Sequence, residues 1–150
     1  MSVTPDFGLD GSTRSTSTPG ASPDAEKPCV FLAEDDPILR RAVVRWLQLD
    51  GYHVIAADSG RSLLEYMLEL PISDPGSGDV LVTDVNMPGL DGFQLVERLQ
   101  VAGWQLPVVF MTGDPSVEAQ RRARELRALA FLPKPFSLGD LSGAMESAAR

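Results

Sequence analysis

One stretch constrains this chain more than any other: Asp79-Val-Leu-Val-Thr-Asp-Val-Asn-Met-Pro-Gly-Leu-Asp-Gly92. Val80 to Val82 is apolar, Asp84 is a single carboxylate, and Asn86, Met87, Pro88 and Gly89 do not prolong a strand. The stretch predicts a buried strand with one Asp at its C-terminal end. In open parallel α/β sheets that end is where ligands and chemistry sit. Two other segments are built the same way. Cys29 to Ala33 is an apolar run that leads into Glu34-Asp35-Asp36-Pro37, and Ala130 to Leu132 leads into Lys134-Pro135-Phe136.

The remaining elements fall between these ends. Asp36-Pro37 reads as a helix N-cap followed by Pro in the first turn. Ile38, Ala42, Trp46 and Leu49 recur at helical spacing and predict the inner stripe of a first helix that stops at Asp50-Gly51. Tyr52 to Ala57 is a second strand. Ser59 caps a second helix with Leu63, Leu64, Met67 and Leu68 inward. A polar loop, Pro71 to Gly78, precedes the third strand, Val80 to Thr83. Asp91-Gly92 opens a third helix striped by Phe93, Val96 and Leu99. Leu106 to Met111 is a fourth strand ending in Thr112-Gly113, and Asp114 or Ser116 starts a fourth helix. Its apolar face is thin (Val117, Ala123, Leu126) and is crowded by Arg121, Arg122, Arg124 and Arg127. Ser137 caps a fifth helix with Leu138, Leu141, Met145 and Ala148 inward.

Strands alternating with helices imply right-handed crossovers and parallel pairing. The expected fold class is α/β: a three-layer, doubly wound (βα)5 domain with a five-stranded parallel sheet, spanning residues 28–150. Residues 1–27 are expected to be a disordered tail. From Gly11 to Pro23 every residue except Arg14 is Gly, Ser, Thr, Pro or Ala, too little apolar surface to offset ordering. In such a sheet Asp35, Asp84, Thr112 and Lys134 all close strands on the same edge.

A net charge of -8 argues against direct nucleic-acid binding, which wants a basic face. The single Cys29 rules out an internal disulfide framework and reads as a packing residue. No apolar run approaches the ~18 residues of a membrane span, and no signal-peptide layout opens the chain, so the cytoplasm is the expected location. His53 is the only histidine. It reads as a strand residue, and Trp46 and Trp104 read as packing residues.

Three carboxylates at one sheet edge repel: about 4 kcal/mol per pair at about 4 Å and an effective dielectric near 20. A cation among them relieves this. Mg²⁺, or Mn²⁺ in its place, prefers oxygen ligands. Asp35 and Asp84 suit direct ligation, Glu34 ligation through water, and the backbone carbonyl of Asn86 a further ligand. A partly neutralised Asp84 is then a nucleophile toward phosphorus. The metal and Lys134 would stabilise the phosphoryl oxygens, and the Thr112 hydroxyl could bond the attached group.

These residues carry a resemblance. Glu34-Asp35 after the first strand, Asp84 in Asp-Val-Asn-Met-Pro-Gly-Leu-Asp-Gly, Thr112-Gly113 and Lys134-Pro135-Phe136 together resemble the receiver domain of two-component response regulators, with its flavodoxin-like, chemotaxis-regulator fold. The resemblance covers Pro28 to Arg150. It implies that Asp84 accepts a phosphoryl group from a sensor histidine kinase or a histidine phosphotransfer protein. It implies that Glu34, Asp35, Asp84 and the Asn86 carbonyl organise Mg²⁺, that Lys134 contacts the phosphoryl group, and that Thr112 and Phe131 form the switch. Asn86 and Asp114 correspond to positions that tune dephosphorylation, and the Lys134-Pro135 bond is expected to be cis. The face made by the fourth helix, fifth strand and fifth helix is expected to bind partners or, on phosphorylation, a second copy.

The expected function is therefore a phosphorylation-controlled signalling switch, not an enzyme beyond phosphorylation and dephosphorylation of its own Asp84. A phosphorelay intermediate, a receiver cut from a longer DNA-binding regulator or hybrid kinase, and a scaffold that no longer takes phosphate are the alternatives. A haloacid-dehalogenase-type phosphatase would need an acid where Asn86 stands. A dinucleotide-binding domain would need Gly-x-Gly-x-x-Gly where Glu34-Asp35-Asp36 stands.

Overall fold

The computed structural model describes residues 3–6 and 27–148. The strands are β1 (Val3–Asp6), β2 (Cys29–Ala33), β3 (His53–Ala57), β4 (Val80–Asp84), β5 (Val108–Thr112) and β6 (Ala130–Pro133). The helices are α1 (Pro37–Leu49), α2 (Gly60–Leu68), α3 (Gly92–Val101), α4 (Val117–Glu125) and α5 (Leu138–Ala148). The sheet order is β1-β3-β2-β4-β5-β6. β2 to β6 are the five parallel strands that the βα alternation predicts. One face of the sheet packs on α1 and α5, and the other on α2, α3 and α4. β4, buried at all five positions, and β5 likewise, are continuous apolar strands because both their faces are covered.

The sheet has six strands rather than five. Val3–Asp6, placed by sequence in a disordered tail, pairs antiparallel with β3, Thr4 opposite Ala56 and Asp6 opposite Val54. Residues 7–26 of that expected tail lie outside the described residues. The pairing has a backbone reason. The His53 N–H donates to the Pro28 carbonyl and the Ala57 carbonyl accepts from Glu34, so the odd positions of β3 face β2. Val54 and Ala56 then turn their N–H and C=O groups to the open edge, where Thr4 and Asp6 meet them. Pro5, opposite Ile55, falls at the position whose backbone faces away, where a missing N–H costs nothing and blocks a further strand.

The helix starts follow the capping residues. Asp36 accepts from the Ile38 and Leu39 N–H groups, with Pro37 in the first turn. Ser59 and Ser116 cap α2 and α4, and Asp91 with Gln94 forms a reciprocal capping box on α3. The phase of α1 differs from the expected stripe. Val43, Val44 and Leu47 are its buried residues, whereas Ile38 and Leu49 are exposed, at 72% and 74%. Both sets recur at helical spacing, and the sheet surface selects the second. Leu68 in α2 and Val117 in α4 are likewise outside, and Trp46 is half-buried, donating from Nε1 to Ser142 Oγ of α5 at 2.7 Å. Trp104 is buried edge-on against Phe31. Burial pushes the Cys29 thiol up to about 12, as suits an inert packing residue.

Asp79 ties down the loop before β4. Its carboxylate accepts from the Cys29 N–H and from Ser73 Oγ. α4 is the most lightly packed helix, with Ala119 and Ala123 its buried residues. It ends on Arg127, a non-glycine residue at φ 61°.

Two outcomes are expected. A Thr4→Pro substitution removes a ladder donor, so hydrogen exchange at the Val54 and Ala56 amides should quicken while Ile55, bonded on the β2 side, keeps its protection. An Arg127→Gly substitution should raise stability by roughly 0.5–1 kcal/mol in urea unfolding, because glycine relieves the left-handed strain.

Candidate functional site

Register brings the predicted residues together. Ala33 lies opposite Thr83, Asp84 opposite Met111, and Thr112 opposite Pro133. Glu34, Asp84, Thr112 and Lys134 therefore end or directly follow four neighbouring parallel strands at one edge. β2 and β4 flank the point where the strand order reverses, so Glu34, Asp35 and Asp84 stand at the topological switch point of the sheet. The close approach of α3 adds to this. A Cβ on Gly92 would sit 2.2 Å from the Asp84 carbonyl oxygen, so only glycine lets the helix start over that strand end. The Gly92 N–H donates to the Val85 carbonyl at 2.8 Å.

Glu34 is fully buried and Asp84 is 4% exposed. Lys134 joins them: its Nζ is 3.0 Å from Glu34 Oε1 and 3.0 Å from Asp84 Oδ2. Glu34 Oε2 accepts from the Asp36 N–H at 3.0 Å, and Asp84 Oδ1 from the Asn86 N–H at 3.3 Å. Asp35 is exposed, and its carboxylate meets no donor among the described residues. Glu34, Asp35 and Asp84 each offer an oxygen within 4.8 Å of the others. Three carboxylates gather here and one ammonium bridges two of them, a donor set of hard oxygens that fits a divalent cation such as Mg²⁺.

The electrostatics agree. Burial raises the Glu34 carboxyl to about 7, with the Asp84 charge adding to the rise and the Asp36 N–H and Lys134 opposing it. Burial works against the Lys134 ammonium, but its hydrogen bonds to Asp84 and Glu34 outweigh that and hold it above the ordinary lysine range. A lone ammonium does not fully compensate the two carboxylates it bridges.

Thr112 is fully buried at the end of β5. Its Oγ1 accepts from the Asp114 N–H at 2.9 Å and from Asn86 Nδ2 at 3.3 Å. Both lone pairs of the hydroxyl are thus used, and its proton is left to donate. Asn86 and Asp114, expected as tuning positions, meet on this one hydroxyl. Phe131, opposite Phe110 in β6, is half-buried against the core under α2, α3 and α4. The Lys134-Pro135 peptide is cis.

Two residues of the site escaped the sequence reading. Thr83 Oγ1 donates to the Asp84 carbonyl at 2.9 Å. Arg40 Nη1 donates to the Glu34 carbonyl at 2.8 Å. An Arg six residues after Glu34, in a helix with three arginines, carries no mark in sequence that separates it from a solvated one.

Residues 30–146 match the family described as response regulator receiver domain. The chain is 37% identical over 117 residues to the response regulator receiver protein CpdR of Brucella abortus, covering 78% of this chain and 92% of that protein. It is 33% identical over 122 residues to the transcriptional regulatory protein FixJ of Bradyrhizobium diazoefficiens, covering 81% of this chain but 56% of that longer protein. Among solved structures, the chemotaxis protein CheY4 of Vibrio cholerae superposes with a TM-score of 0.70 at 28% identity, covering 81% of this chain and 98% of that one. No helix among the described residues is long and apolar enough to cross a membrane.

A pH dependence follows from Glu34. Between the ordinary carboxylate value of 4.5 and about 7 the folded chain keeps a proton that the unfolded chain has lost, so stability falls as pH rises through that window. In metal-free buffer the unfolding midpoint of the native chain, taken relative to Glu34→Gln, should therefore drop from pH 4.5 to pH 7 and level off above it.

Proposed function

We propose a function on one premise: this chain belongs to the response regulator receiver domain family. It acts as a phosphorylation-controlled signalling switch of a two-component system. A partner histidine kinase, or a histidine phosphotransfer protein, supplies the phosphoryl group, and Asp84 accepts it. The observation that carries this reading is the buried Glu34–Lys134–Asp84 bridge with the unpartnered Asp35 beside it.

The chemistry is a displacement at phosphorus. A carboxylate oxygen of Asp84 forms the new O–P bond, the donor's N–P bond breaks, and its electron pair stays on the leaving imidazole nitrogen. Glu34, Asp35, Asp84 and the Asn86 carbonyl would hold Mg²⁺, which supplies charge neutralisation of the transferring oxygens when bound. Lys134 already reaches Asp84 at 3.0 Å, so its ammonium needs only a small turn to meet a phosphoryl oxygen. Gly92 lets the start of α3 close over the backbone of Asp84 and Val85.

The readout begins at Thr112. Its hydroxyl proton is the group in reach that a phosphoryl oxygen would recruit, and drawing it in loosens the contacts to Asn86 and Asp114. Phe131 and the lightly packed α4 are next in line. The α4–β6–α5 face then changes its contacts to partners or to a second copy, a two-state element biased by a local charge. Such a switch works in the cytoplasm and transforms no substrate other than its own Asp84.

Incubation with acetyl phosphate, with and without Mg²⁺, and read by intact mass, tests this. One phosphoryl group per chain is expected, dependent on Mg²⁺ and absent in Asp84→Asn. Lys134→Ala should still be phosphorylated yet fail to show the change in tryptophan fluorescence expected of the native chain on phosphorylation. An adduct that persists in Asp84→Asn would move the acceptor elsewhere and overturn the assignment.

A further inference from the structure

The contact between Arg40 and the Glu34 carbonyl joins α1 to the acidic site. β2 ends at Ala33 and α1 begins at Pro37, so the Glu34 carbonyl belongs to neither a strand ladder nor the helix. Arg40 is its donor, at 2.8 Å from Nη1. Around it several other polar groups of the turn are tied down. The Glu34 N–H is bonded to Ala57, the Asp36 N–H to Glu34 Oε2, and the Asp36 carboxylate to the first turn of α1. The Asp35 side chain has no protein partner among the described residues, although it stands within the reach of Glu34 and Asp84 that a shared cation requires.

The carbonyl that Arg40 holds is half of the Glu34–Asp35 peptide. That unit is planar, so fixing its oxygen fixes the direction from which the chain enters Asp35 and leaves φ of Asp35 as the one backbone torsion that aims its Cβ. We propose that Arg40 is a positioning residue: it locks the Glu34–Asp35 peptide and so sets the Asp35 carboxylate as the outer ligand of a divalent cation. The inference rests on the reading of Glu34, Asp35 and Asp84 as a cation site. Arg suits this role because its guanidinium is rigid, permanently charged and able to keep one N–H on a fixed oxygen. The phase of α1 makes it possible. Burying Val43, Val44 and Leu47 rolls Arg40 toward the sheet edge and leaves Arg41 exposed, with no partner among the described residues.

Arg41 gives the control, since it carries the same charge one residue on. Binding of Mn²⁺ alone to the full chain, followed by electron paramagnetic resonance without any phosphodonor, separates the cases. Asp35→Asn should weaken binding strongly. Arg40→Met, which keeps the apolar stem, should weaken it about tenfold or more, as loss of a residue supporting a ligand does. Arg40→Lys, which keeps the charge but not the fork, should stay weakened, and Arg41→Met should change it less than about twofold. The Lys variant carries the test if the Met variant does not fold. Unchanged binding in Arg40→Met or in Arg40→Lys would overturn the proposal, as would an equal loss in Arg40→Met and Arg41→Met, which would reduce the effect to bulk charge. If the native chain bound no Mn²⁺, the cation site itself would fall, and the role of Arg40 with it.

Discussion

Two buried carboxylates held by one ammonium are the constraint on which this structure turns. Glu34 and Asp84 close neighbouring strands with almost no exposure, and Lys134 touches both. Buried charge is tolerated only when paired and hydrogen-bonded, and removing a partner from such a pair costs roughly 3–5 kcal/mol. Asp35 adds a third carboxylate at the same edge, and Lys134 bridges only the other two. The metal-free chain relieves the imbalance by holding a proton on Glu34, whose affinity rises to about 7 through burial first and through Asp84 second.

Parallel strand geometry is what creates that imbalance. Asp84 lies 50 residues from Lys134, and Glu34 lies 100. Each βα crossover returns the chain to the same edge, so residues remote in sequence arrive within 3.0 Å without any local turn bringing them there. The helices over the sheet are not equally firm. α1 and α5 bury large residues such as Leu47, Leu141 and Met145, whereas α4 buries two alanines and is tied to α3 through Arg122, which pairs with Glu97 and lies over Phe93. Elements with little buried apolar area are the ones that reorganise at low cost. The firmly packed α1 follows the acidic turn, and the lighter α4 follows Thr112.

Much of this was legible in the sequence because a single rule governs it. An apolar run that stops at Asp84, at Glu34-Asp35 or at Lys134 announces a buried parallel strand and a functional end together. The caps at Asp36, Ser59 and Asp91 were legible for an equally local reason, a side chain that accepts from a backbone N–H within three residues, and of Asp114 and Ser116 the structure selects Ser116. What was not legible depended on tertiary choice. Val3–Asp6 is four residues containing Pro5, with no alternating pattern of its own; the open backbone of Val54 and Ala56 makes it a strand. Pro-Ile-Leu-Arg-Arg-Ala-Val-Val-Arg-Trp-Leu-Gln-Leu offers two apolar stripes at helical spacing. Ile38, Ala42, Trp46 and Leu49 is as regular as the one that is buried.

That choice of stripe reaches beyond packing. A helix rotated to bury Ile38 and Leu49 would satisfy the hydrophobic pattern equally well, yet it would carry Arg40 away from the Glu34 carbonyl and leave that carbonyl without its donor. A buried or half-buried carbonyl without a donor costs about 1–3 kcal/mol. The turn between β2 and α1 would then be free to swing Asp35 off the acidic cluster. The observed phase meets both demands at once, filling the core beneath with Val43, Val44 and Leu47 while Arg40 closes the turn above. The hydrophobic contact between α1 and the sheet is therefore also what brings Arg40 onto the acidic turn.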